Sequence, residues 1–120
     1  MKQSDITSEI IALSRKIAEY WRMEIYKGCW YCDIDILCLW HENYEPDFPD
    51  EVFPIPSISD CLEKLGQLGV GDIELIQDVD KWTVYFFPKT ATHATAMMGN
   101  SLHEALLQAL LAVPGGSHDR

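Results

Sequence analysis

Apolar residues recur at helical spacing in three stretches of this chain. Ile6, Ile10, Leu13, Ile17 and Tyr20 or Trp21 form the first stripe, behind candidate N-caps at Ser4 and Asp5. The second follows the prolines of "FPIPSISD". Ser57 can cap there, Asp60 can reach back in a capping box, and Ile58, Cys61, Leu62, Leu65 and Leu68 supply the buried face. Gly66, Gly69 and Gly71 mark its end, because glycine takes the left-handed conformation that closes a helix. The third opens at "SLHE" with Ser101 and Glu104 as a capping box and carries Leu102, Ala105, Leu106, Ala109, Leu110 and Val113 before Pro114 stops it.

Between the helices the period changes. "DIELIQD" and "KWTVYFFP" flank a polar turn at Val79 and Asp80 and predict a β-hairpin. Its second strand is apolar on both sides, with Trp82, Val84 and Phe86 on one face and Thr83, Tyr85 and Phe87 on the other. A strand of that kind calls for cover above and below, and three amphipathic helices can supply it. "CWYCDIDILCLW" alternates as one further strand, with Trp30, Cys32, Ile34, Ile36, Cys38 and Trp40 on a shared face. The predicted order is α-β-α-β-β-α. The predicted fold class is a small α/β (α+β) domain, its sheet layered between helices as an αβα sandwich.

The same cysteine stretch offers the most specific chemistry in the sequence. Cys29, Cys32, Cys38 and His41 are a ligand set of zinc-compatible types. A continuous strand, however, points Cys29 away from Cys32 and His41 away from Cys38, so the metal site is an alternative and not the expectation. A thioredoxin-type dithiol needs a helix after its second cysteine, and none is predicted after Cys32. Cys32, Cys38 and Cys61 are expected to be small core hydrophobes. No cofactor is expected.

Length and charge then narrow the function classes. The 120 residues, 48% of them hydrophobic, fit one domain over 1–120 that needs neither disulfide nor metal, with flexible ends at 1–3 and 115–120. No apolar run approaches a membrane span and the first residues do not read as a signal peptide, so a cytoplasmic protein with free thiols is expected. The net charge of −10 argues against binding nucleic-acid phosphates and leaves basic proteins as partners. "HENYEPDFPDEVFPIP" interleaves Glu42, Glu45, Asp47, Asp50 and Glu51 with Tyr44 and Phe48, a composition suited to a basic partner; the plainer reading is a solvated connection. His93 and His103 are expected at the surface. With Trp82, Asn100 and Ser101, His93 forms an alternative ligand-binding set around the loop "PKTATHATAMMGNS", which leads into a helix N-terminus.

From "PSISDCLEKL" through "DVDKWTVYFFP" to "NSLHEALLQALLAV", about half the chain resembles the phage ABA sandwich domains, small phage and prophage proteins. Ser57 and Asp60, Trp82, and Ser101, Leu102, Glu104, Ala105 and Ala109 occupy the places of that pattern. The cysteine stretch and the acidic segment are not part of it. The resemblance implies a layered α/β fold and a phage or prophage origin, with no catalytic residues to carry over. The leading expectation is a non-enzymatic accessory protein of the bacterial host cytoplasm, which inhibits a host nuclease or other defence protein through an acidic surface. A nucleotide binder or enzyme, and a virion structural or assembly protein, are the alternatives. A homo-oligomer is compatible with each.

Overall fold

The computed structural model describes residues 2–21, 23–33, 36–40, 52–87 and 93–113. They form a small α+β domain of three helices and two antiparallel three-stranded sheets, ordered β2-β1-β3 and β4-β5-β6. Helix α1 spans Ser8–Tyr20, α2 Ile58–Gln67 and α3 Leu102–Ala112. The strands are β1 Trp30–Asp33, β2 Ile36–Leu39, β3 Phe53–Ile55, β4 Gly71–Asp78, β5 Lys81–Phe87 and β6 Thr95–Gly99.

The helices form where their local signals place them. Thr7, rather than Ser4 or Asp5, caps α1 through the Ile10 amide; Asp5 instead bonds the Lys2 amide across a short 3-10 turn, Gln3–Asp5. Ser57 and Asp60 form the reciprocal capping box on α2. That helix ends with Gly69 at φ +81°, the Val70 amide reaching Leu65 and the Gly69 amide reaching Gly66, which is a Schellman closure. On α3 only half of the expected box is present: Ser101 accepts from the Glu104 amide, with no return bond from the Glu104 side chain.

Helix α3 is the centre of the core. Ala105, Leu106, Leu107, Ala109 and Leu110 are fully buried, because α1 and α2 pack on it from one side and β5 and β6 from the other. Trp21 ties the far ends together, its indole N–H donating to the Leu110 carbonyl at 3.0 Å. Ser14, on the buried face of α1, is the exception to good pairing: its hydroxyl is buried with no hydrogen-bond partner among the described residues. Ser14→Ala removes that unsatisfied group at nearly constant shape and favours the helix, so a gain of about 1 kcal/mol in urea unfolding is expected. A loss of stability would show that the hydroxyl is paired in solution.

Three expectations change. The cysteine stretch is a hairpin and not one strand: the chain reverses between Asp33 and Ile36, pairing Cys32 with Leu37 and Tyr31 with Cys38. Directly paired residues share a face, so Cys32 and Cys38 lie on opposite sides, Cys32 in the core and Cys38 only partly buried. Two further strands join the predicted set. β3 passes through Pro54, tolerated because β3 is an edge strand, and β6 lies inside what reads as a loop. Finally, the β4–β5 hairpin forms as predicted, but the described residues cover its sheet on one face only. Val84 and Phe86 are fully buried toward α3, whereas Tyr85 and Phe87 remain 39% and 43% exposed.

Candidate interaction face

The uncovered side of the second sheet is assembled by register. Ile76 pairs with Thr83 and Thr83 with Met98, while Glu74 pairs with Tyr85 and Tyr85 with Ala96, so all of these residues share one face. Ile76 is 45% exposed and Met98 54%; with Tyr85 and Phe87 they make an apolar patch across the three strands. Glu74 and Asp78 flank Ile76 on that face, and Lys81 stands opposite Asp78. Exposed patches of large apolar side chains with a charged border mark interaction sites on globular proteins.

The residues singled out by sequence are distributed differently. Glu42, Tyr44, Glu45, Asp47, Phe48, Asp50, Glu51 and His41 lie outside the described residues. Trp82 pairs with Gly99 and packs on the core, next to Asn100 and Ser101; His93, which is exposed as expected, lies at the opposite end of β6. The alternative ligand set is therefore not gathered at one point. Among the described residues no group of three or more His, Cys, Asp or Glu side chains could hold a metal ion.

His103 is not the surface residue the sequence suggests. It is 6% exposed, and its Nε2 bonds the Pro56 carbonyl, linking the start of α3 to the chain entering α2. A carbonyl only accepts, so Nε2 carries the proton. The ring borders a cavity of about 460 Å³ with Asp5, Ser57, Ser59 and Ser101. Burial holds its pKa below the ordinary histidine value, against the opposing pull of the Pro56 bond and of the Asp5 and Asp60 charges. The sign follows from linkage: a proton that binds the unfolded ring more tightly than the folded one destabilises the fold, so this contribution is present above about pH 6.5 and is lost as pH falls. The urea midpoint is expected to drop between pH 7.5 and 5.5, and to drop less in His103→Gln. Equal drops would show that His103 does not contribute to the pH dependence.

A second cleft, about 330 Å³, lies between α2 and the segment before β1, lined by Tyr26, Cys29, Ile55, Asp60 and Glu63 among others. The Tyr26 hydroxyl donates to Asp60 at 2.7 Å, and the Tyr26 amide donates to Cys29 Sγ at 3.3 Å. Burial and the Asp60 carboxylate push the Tyr26 phenol up to about 12, and burial raises the Cys29 thiol. Burial takes the core thiol of Cys61 to about 12 as well. These groups are held protonated at neutral pH, the opposite of what an activated nucleophile needs.

Compared with protein-family models, curated proteins and solved structures, the chain matches none of them. No helix among the described residues is long and apolar enough to cross a membrane.

Proposed function

We propose that this protein is a phage or prophage accessory protein, a non-enzymatic module that binds a basic protein in the cytoplasm of a bacterial host. The observation that carries the binding reading is the open face of the second sheet, where Ile76, Tyr85, Phe87 and Met98 are exposed together and Glu74 and Asp78 flank Ile76. Apolar area supplies the affinity of such a contact, and opposite charge supplies encounter rate and partner choice. A net charge of −10 makes a basic surface the complementary one. Inhibition of a host nuclease or other defence protein is the specific form, because such enzymes present a basic groove to nucleic acid and an acidic protein competes for it. The phage assignment rests on the resemblance at Ser57, Asp60, Trp82 and the Ser101–Ala109 helix.

The test is a photoreactive residue placed at Thr83, the centre of the face, with a second at Glu9 on the exposed side of α1 as control. In host cells the Thr83 position is expected to crosslink one basic protein that the Glu9 position does not. Identical patterns from both positions would place the contact elsewhere.

A further inference from the structure

The open face leaves one exposure unexplained. Leu75 lies on the other side of β4, the side on which α3 covers β5 and β6, and is nonetheless 40% exposed, while its neighbour Ile76 is 45% exposed on the open side. Among the described residues, β4 runs against β5 and makes no extensive contact with any other element. Among the described residues β4 is therefore short of cover on both faces, and its position at the end of the sheet leaves its outer edge without a neighbour as well.

The edge is regular from Glu74 to Asp78, after a bulge between Gly71 and Glu74 where Asp72 has φ +51°. Asp78 pairs with Lys81 across the two-residue turn Val79–Asp80, which makes that pair hydrogen-bonded. Alternation along an antiparallel ladder gives Ile76–Thr83 and Glu74–Tyr85 the same character. The N–H and C=O groups of Leu75 and Gln77 therefore point away from β5, and neither amide has a partner among the described residues. Edges are commonly blunted by lysine, proline or a bulge; β4 contains neither lysine nor proline, and its bulge precedes Glu74, which leaves Glu74 to Asp78 as the open stretch. The strand's charges are all acidic, Asp72, Glu74 and Asp78, with Asp80 beside them in the turn.

We propose that β4 is a docking edge, to which an extended basic segment of the protein partner adds as a fourth strand of the second sheet. The register sets the pattern of that segment. Residues facing Glu74 and Asp78 are Lys or Arg, residues facing Leu75 and Ile76 are apolar, and the residue facing Gln77 is unconstrained. The segment thus reads basic, apolar, apolar, any, basic, in one direction or the other. Main-chain bonds give such a complex its affinity, and the alternating side chains give its specificity. A second copy of this chain is a poor occupant, since self-addition sets one acidic strand against another and like charges on neighbouring strands destabilise pairing. The inference rests on the binding-module reading above and adds the mode of recognition.

The experiment pans a library of displayed random peptides on the full chain, then follows amide hydrogen exchange with an enriched peptide bound. Enriched peptides are expected to carry the five-residue pattern and to protect the Leu75 and Gln77 amides at least tenfold. Gln77→Pro, which removes an outward N–H but no donor of the β4–β5 ladder, is expected to weaken binding at least tenfold. If that variant unfolds the hairpin, exchange in the wild-type chain decides alone. No enrichment, enrichment of acidic peptides, or binding that leaves both amides unprotected overturns the edge. So does a dimer of this chain that protects the same amides. Peptides that leave β4 unprotected but fail to bind Tyr85→Asp would overturn the edge and keep the binding-module reading. Identical crosslinks from Thr83 and Glu9 would remove the open face as the contact and the edge with it.

Discussion

Gly99→Ala is expected to destabilise the fold by about 3 kcal/mol, roughly 10 °C in melting temperature, although it adds a single methyl group. The reason is the approach of β6 to α3. A Cβ on Gly99 would lie 2.5 Å from the Ala105 amide nitrogen and 2.9 Å from the Glu104 carbonyl carbon. Both are backbone atoms in the first turns of the central helix, fixed by the Ser101 cap and by the Ala105 bond to the Ser101 carbonyl. No rotamer change relieves the contact; either β6 must leave β5, where Gly99 pairs with Trp82, or α3 must shift in the core. Thermal unfolding of Gly99→Ala and of Gly71→Ala compares the two directly. Nothing lies within 4 Å of a Cβ at Gly71, so that variant should change stability by under about 1 kcal/mol. Similar losses in both would remove the close approach as the cause.

Trp21→Phe is the second large effect, also about 3 kcal/mol in urea unfolding. The indole N–H bonds the Leu110 carbonyl, one of the last four carbonyls of α3, which the helix cannot satisfy internally. Phenylalanine keeps most of the apolar body and leaves that buried carbonyl without its donor, at a cost of about 1–3 kcal/mol, and the smaller ring adds a packing loss of about 1 kcal/mol. Trp21 also lies 5.8 Å beneath the Lys64 ammonium, so it joins the ends of all three helices. A loss under about 1 kcal/mol would show that water replaces the indole without penalty.

The helices were legible because their signals are local. Ser57, Asp60 and Ser101 cap within one turn, and Gly69 closes α2 through its own positive φ. The β1–β2 reversal was not, since "CDIDIL" alternates in the same way whether the strand continues or turns back, and it carries none of the glycine or asparagine of a typical tight turn. β6 has no local signal, because Ala96, Met97 and Met98 lack strand propensity and are recruited by pairing with β5. The burial of His103 depends on Pro56, 47 residues earlier in the chain, a distance that no local pattern spans. The candidate face was half legible. The two apolar sides of β5 are plain in "WTVYFF", but only the packing of α3 decides that Val84 and Phe86 are covered and Tyr85 and Phe87 are not.

If this uncovered face binds a protein, changes within it must weaken the contact. The partner identified through Thr83, purified, is titrated against the wild-type chain and the double variant Tyr85→Asp, Phe87→Asp. Both side chains lie outside the core but are more than half covered, and a carboxylate at position 85 faces Glu74, so the melting temperature should fall while the circular dichroism spectrum of the folded chain is kept. At least a hundredfold loss of affinity is expected, as when central aromatic contacts are replaced by charge. Unchanged affinity with a folded variant would contradict binding through this face.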